Sequence, residues 1–159
     1  MKTSEKLTLL RAEMKKRGIS AYVVVTDDFH ASEYVGTHFK AREFLSGFTG
    51  SAGTLVVLPD SAALWTDGRY FLQASQQLAG SGIELMRMGE PGVPEIADFL
   101  RDHVAENGFI GFDSRTVSNA FARTIRFPSV SMPLARWASM MVLLLALKTS
   151  IICSELVNT

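Results

Sequence analysis

At 159 residues with 47 % hydrophobic side chains, the chain holds one ordinary core and has no length for a second catalytic domain beside it. Its 16 Lys and Arg balance 16 Asp and Glu, so no basic field argues for nucleic acid and no acidic one for a cationic partner. The single cysteine, Cys153, cannot make an internal disulfide, and residues 1–17 are too charged for a secretory signal, which makes a reducing, cytoplasmic location the expectation.

In chain order, Leu7, Leu10 and Met14 recur at helical spacing with charged residues between them, and Gly18 stops this amphipathic first helix. Residues 21–25, Ala-Tyr-Val-Val-Val, are apolar on consecutive positions, as in a strand buried on both faces. Asp27 or Asp28 then caps a short helical turn over residues 30–34, although Asp28, His30 and Glu33 also stand where ligands gather in open α/β sheets. Residues 36–46 read as a connector with a short helix. Residues 52–58 and 62–66 form an antiparallel hairpin around Pro59-Asp60-Ser61, and residues 69–78 a helix with Asp67 near its start.

Residues 83–88 form another strand, ended by Pro91-Gly92. Pro94 suits a first helical position, and Ile96, Phe99, Leu100 and Val104 make the buried stripe of a helix ending near Asn107-Gly108. Residues 109–112 are a further clear strand; Val117, Phe121 and Ile125 begin a last helix. This alternation predicts one three-layer α/β/α domain with a mixed sheet over residues 1–125. From Arg126 the text changes: an apolar run over 137–147, interrupted by Lys148, is about half of the roughly 20 residues of a membrane span. Residues 126–159 therefore read as a divergent apolar tail that promotes association, with membrane insertion disfavoured by Lys148.

The usual catalytic patterns are missing from the text. His30, His38 and His103 fall on different elements without metal-ligand spacing, so no metal is expected in this chain. Gly47, Gly50 and Gly53, spaced by three, match neither the dinucleotide fingerprint nor the P-loop; they read as permitting positive φ and close backbone approach. Ser46 and Ser51 lack a nucleophile elbow. What remains is the cluster Trp65, Asp67, Arg69, Tyr70. It reads either as a cap with an Asp67–Arg69 ion pair and a tryptophan on a sheet edge, or as a rim presenting Arg69 and aromatic rings to a substrate or partner.

Three linked motifs carry a resemblance: Asp28-x-His30-x-Ser32-Glu33-Tyr34; Arg42-x-Phe44-x-Ser46-Gly47-Phe48-x-Gly50-Ser51-Ala52-Gly53-Thr54; and Trp65-Thr66-Asp67-Gly68-Arg69-Tyr70-Phe71-Leu72-Gln73-Ala74. In this order they resemble the N-terminal creatinase/prolidase-type domain of Xaa-Pro aminopeptidases, closest to the long multi-domain form, over roughly residues 3–125. The resemblance implies a ribonuclease-H-like α/β/α fold. It also implies an enzyme that releases the residue preceding proline, whose chemistry sits in a separate C-terminal domain on two metal ions, usually manganese. That domain is not in this sequence, so the expectation is a non-catalytic domain that is inactive alone.

In such enzymes the N-terminal domain covers the substrate cleft and joins oligomer contacts. By motif position, Arg69, Tyr70 and Trp65 are the candidates for substrate or subunit contact, followed by Asp28, His30 and Glu33; Gly47, Gly50, Gly53, Asp67 and Gly68 are structural. The expected partners are a second copy, or the catalytic domain and peptide substrate of an intact enzyme, with neither nucleic acid nor a membrane. The switch near Arg126 suggests a frame change or truncation, testable in the underlying DNA. The alternative is a stand-alone interaction module that associates through the Trp65/Arg69 rim and the apolar tail.

Overall fold

The computed structural model describes residues 1–30, 32 and 35–125; Glu33 and the tail over 126–159 lie outside the described residues. The first helix, α1 (Thr3–Arg17), buries Leu7, Leu10 and Met14 and ends on Gly18, whose φ of 66° is left-handed. It leads directly into β1 (Ile19–Val25). Lys6 Nζ donates to the Phe44 carbonyl at 2.7 Å and Arg11 Nε to the Leu58 carbonyl at 2.9 Å, so the flank of α1 is tied to two distant segments.

A 3-10 turn at Thr37–Phe39 and the short α2 (Ala41–Ser46) follow. Then come β2 (Thr54–Val57), β3 (Ala62–Thr66), a 3-10 turn at Gly68–Tyr70 and α3 (Phe71–Gln77). The last elements are β4 (Glu84–Arg87), α4 (Ile96–His103), β5 (Phe109–Phe112) and α5 (Asn119–Thr124).

The five strands lie in the order β4-β3-β2-β1-β5. β2 runs antiparallel to both neighbours, with Tyr22 opposite Val57 and Leu55 opposite Leu64, while β5 joins β1 and β4 joins β3 in parallel. Period-two alternation divides the apolar side chains between two layers. Tyr22, Val24, Leu55, Val57 and Leu64 face Leu7, Leu10, Leu45, Phe48, Ala74 and Leu78, which places α1, α2 and α3 on one side. Ala21, Val23, Val56, Ala63 and Trp65 face Phe99, Leu100 and Ile125 on the other. The expected three-layer α/β/α architecture with a mixed sheet is the observed one. The continuous apolar run of β1 has this cause: a central strand is covered on both faces.

Three local expectations change. Pro94 precedes the helix cap, Glu95, rather than occupying the first turn of α4, and its carbonyl accepts from Trp65 Nε1 at 2.9 Å. α4 stops at His103, because Val104 turns extended at φ −110° and ψ 125°, well before Asn107-Gly108. The last helix starts later than Val117: Ser118 caps it, its hydroxyl accepting from the Phe121 amide at 3.1 Å.

Candidate functional site

Because β1, β3, β4 and β5 share one direction, their carboxyl ends meet on a single edge of the sheet. β2 runs the other way and is entered from that same edge, so the glycine turn of residues 47–53 lies among the strand ends. The sequence places chemistry-bearing residues there: Thr26, Asp27 and Asp28 after β1, Asp67 and Arg69 after β3, Asp113 and Arg115 after β5.

The three glycines of the turn have two different reasons. Gly47 ends α2 with φ 77°. Gly50 and Gly53 are not left-handed; a Cβ on Gly50 would lie 2.3 Å from Phe48 Cζ and 2.9 Å from Tyr70 Cδ1, and one on Gly53 would lie 3.0 Å from the Trp65 carbonyl. Gly68 has no such neighbour, its nearest being Phe71 at 3.9 Å.

Inside the turn lies Arg42, which is 3 % exposed. Its Nη1 donates to the Phe48 carbonyl at 2.9 Å, its Nη2 to the Gly50 carbonyl, and its Nε to the Thr26 hydroxyl, which in turn donates to the Gly53 carbonyl at 2.7 Å. The guanidinium also stands 4.7 Å from the centre of the Phe48 ring. Burial lowers its pKa to about 10, outweighing the opposing pull of Glu43 and Tyr70. From outside, Thr49 is held by α3: its amide donates to Gln77 Oε1, and its hydroxyl accepts from Gln73 Nε2 and Gln77 Nε2, each at 2.9 Å. Ser51 Oγ and the Tyr70 hydroxyl are 2.7 Å apart, and Thr66 Oγ1 donates to the Ala52 carbonyl at 2.7 Å.

Two Asp-x-Arg forks stand on the same edge. Asp67 Oδ1 accepts from the Arg69 amide at 3.0 Å and from Nε at 2.9 Å, while Oδ2 accepts from Nη2 at 2.8 Å. Asp113 repeats this with Arg115 at 3.0, 3.1 and 2.7 Å. In the first, the arginine side chain is 69 % exposed; in the second it is 30 % exposed and lies 5.6 Å from the Phe39 ring. The Arg69 side chain holds the Asp67 carboxyl below its usual range. For Asp113, burial opposes ionisation, but the hydrogen bonds from Arg115 outweigh it and keep the carboxyl low.

Of the residues nominated from sequence, Arg69 and Tyr70 share the exposed rim, with the guanidinium 5.2 Å from the Tyr70 ring centre. Trp65 is not brought there. β3 is an inner strand once β4 joins it, so the indole is 1 % exposed and packs 4.9 Å from Phe99 instead of lying on a sheet edge. Asp28 caps the turn that follows β1, accepting from the His30 and Ser32 amides at 2.9 and 3.0 Å, and the Ser32 amide leads in lowering its pKa. His30 packs on Phe29 at 4.1 Å, and Phe29 on Phe39 at 5.3 Å, away from the Arg69 rim in sequence but at the same strand-end edge.

Sequence reasoning gave no role to Arg42 or the Asp113–Arg115 fork, and offered Asp27 only as an alternative cap to Asp28. A usable signal existed for Arg42: it stands three and four positions before the buried Leu45 and Ser46 on one helix face, so it must point inward with them. Two recesses flank the turn. One, of about 330 Å³, is lined by Asp27, Ser51, Gly53, Thr116, Ser118 and Phe121 among others; burial, and then Asp28, raises the Asp27 carboxyl. The other, of about 180 Å³, is lined by Phe39, Lys40, Arg42, Glu43, Thr49 and Ser51 with neighbouring valines. Among the described residues no three His, Cys, Asp or Glu side chains group so as to hold a metal ion. The edge offers cations, hydroxyls and aromatic rings for binding, and among the described residues it shows no paired nucleophile and base.

Comparison with known proteins agrees with this geometry. Residues 6–132 match the creatinase/prolidase N-terminal domain family, so the match runs past Ile125, where the sequence reading ends the domain. Aminopeptidase P2 of Arabidopsis thaliana is 50 % identical over 111 residues, covering 69 % of this chain and 16 % of that protein. Xaa-Pro aminopeptidase 1 of Dictyostelium discoideum is 42 % identical over 118 residues, covering 74 % of this chain and 19 % of the relative. The crystal structure of X-prolyl aminopeptidase from Caenorhabditis elegans, described as a cytosolic enzyme with a di-nuclear active site, superposes with a TM-score of 0.72 at 35 % identity, covering 78 % of this chain and 22 % of that one. The N-terminal creatinase/prolidase-like domain of a metallopeptidase from Corynebacterium diphtheriae gives a TM-score of 0.58 at 26 % identity, covering 78 % of this chain and 86 % of that one. The chain thus spans only 16–19 % of the length of these curated relatives.

Proposed function

This chain belongs to the creatinase/prolidase N-terminal domain family, and from that premise we propose that it is the non-catalytic N-terminal domain of an Xaa-Pro aminopeptidase, acting by covering a substrate cleft and joining oligomer contacts. The observation that carries the proposal is the strand-end edge. Four strand ends and a rigidly clamped glycine turn hold Arg69 outward beside the half-buried Tyr70, and Leu72 next to them is 73 % exposed. An arginine whose Nε and Nη2 are fixed by a neighbouring carboxylate is pre-oriented, which lowers the entropy lost when it meets a carbonyl or carboxylate on a partner. The peptide bond itself is cut elsewhere, by a catalytic domain that supplies two metal ions, expected to be manganese; no residue of this chain takes part in that step. A cytosolic location accords with that of the nematode relative. Among the described residues no helix is long and apolar enough to cross a membrane.

The test has two parts. The purified 159-residue chain, supplied with manganese, is expected to release no first residue from an Xaa-Pro peptide; turnover that disappears in Arg69→Ala would overturn the non-catalytic assignment. Sedimentation then compares the wild type with Arg69→Glu and Leu72→Glu, alone and mixed with the catalytic portion of a related aminopeptidase. Association weakened by both variants supports the rim, and association indifferent to both removes it.

A further inference from the structure

The smaller recess beside the glycine turn poses a charge problem. Arg42 is buried, and every acceptor it reaches is neutral: one hydroxyl and two backbone carbonyls. Among the described residues no carboxylate lies in ion-pair range of it; Glu43, the one acid in the described lining, acts on it only across a longer distance and is itself engaged with Lys40 at 3.3 Å. The described lining therefore carries two cations against one anion. Buried charges in proteins are ordinarily paired, because carbonyl dipoles return only part of the hydration that a guanidinium loses.

Donor chemistry points the same way. A guanidinium has five N–H groups, and the hydrogen bonds of Arg42 use three. The Thr49 hydroxyl accepts from two glutamine amides, so its own proton is left to donate. Both residues line the recess, together with Lys40. The remaining wall is apolar: Val25, Val35 and Phe39. A volume of about 180 Å³ suits a molecule of a few carbons, being that of roughly six liquid waters. A dianion would overshoot the single excess positive charge, whereas one carboxylate matches both the charge and the planar fork of arginine.

We propose that this recess is a binding site for a small monocarboxylate, recognised by Arg42, Lys40 and the Thr49 hydroxyl, with its short apolar stem against Phe39 and the two valines. The site is separate from the Arg69 rim and does not depend on the oligomer contacts proposed there.

The probe is sodium propionate, titrated into the isotope-labelled full-length chain while the Arg42 Nε–Hε resonance is followed, with sodium chloride at matched ionic strength and propionamide as controls. Propionate is expected to give a saturable shift with a dissociation constant on the order of millimolar, as befits so few atoms. Lys40→Gln and Thr49→Ala leave the Arg42 clamp intact, and each is expected to weaken binding about tenfold through loss of one charge-assisted hydrogen bond. The natural source of the carboxylate is read by a parallel titration with N-acetyl-glutamic acid amide. Affinity equal to that of propionate assigns the site to an acidic side chain on a polypeptide, and clearly weaker affinity assigns it to a free carboxylate. The proposal fails if chloride or propionamide reproduces the shift, or if neither variant changes propionate affinity.

Discussion

Two arginines on one edge of the sheet show opposite arrangements. Arg69 is exposed and is held by a carboxylate through a bidentate fork, whereas Arg42 is buried and, among the described residues, is held by a hydroxyl and two carbonyls. Charge pairing alone would put the carboxylate with the buried cation. The distribution follows from what each arginine holds. Arg42 fixes the path of a backbone turn, whose free groups are carbonyls. Arg69 stands at a strand end, where an aspartate two residues earlier caps a 3-10 turn and reaches both the amide and the guanidinium of the same residue. The Asp113–Arg115 fork lies between these extremes, with the geometry of the exposed pair and much of the burial of the clamp.

The strongest way to break the contrast is to remove the buried member. Arg42→Met leaves the Phe48 and Gly50 carbonyls without their donor, and urea denaturation is expected to show a loss of about 2–4 kcal/mol. A loss below about 1 kcal/mol would mean that the turn holds itself. The next effect sharpens the comparison sterically. Gly50→Ala pushes a methyl into the Phe48 and Tyr70 rings and is expected to cost about 1–3 kcal/mol by overpacking, whereas Gly68→Ala should be neutral or slightly stabilising. Equal effects at the two glycines would show the motif to be uniform where the geometry says it is not.

Smaller effects are read through pH. Asp113 ionises below the ordinary aspartate value of 3.8 in the folded state, so its contribution is present above that value and is lost as pH falls through the lowered one. Asp113→Asn is therefore expected to cost about 1 kcal/mol at neutral pH and to flatten the acid limb of the stability profile. Asp27 works in the opposite sense: its carboxyl titrates above 3.8, so stability falls as pH rises through the raised value. Asp27→Asn should remove that loss, gaining a few tenths of a kcal/mol at neutral pH after solvent screening. The smallest expected effect belongs to Arg69→Gln, within about 0.5 kcal/mol of wild type, because an exposed ion pair contributes little. A larger stability loss would make the rim a structural strut instead of a contact surface.

The limits of the sequence reading are visible at particular residues. A hairpin in the sequence does not show what lies beside it, so one of its two readings puts Trp65 on a sheet edge; the parallel addition of β4, from residues 84–87, turns that edge into an interior. Pro94 suited a first helical turn by its fixed φ, yet its carbonyl serves the Trp65 indole, a contact spanning 29 residues. The glycines read as a single class divide into one that needs φ 77° and two that need the absence of a side chain. Arg42 lies inside a family motif without an assigned role, since its partners lie in two segments, the end of β1 and the glycine turn.

The sequence by itself determined the layers, the strand directions around the hairpin and the family. Those follow from apolar periodicity, turn chemistry and motif order, all of which are local in the chain. Tertiary structure alone decided the strand order, which residues surface beside Arg69, and the neutral cage around Arg42. Each of these depends on contacts between residues far apart in sequence, and a buried polar group is satisfied by whatever backbone the fold brings to it.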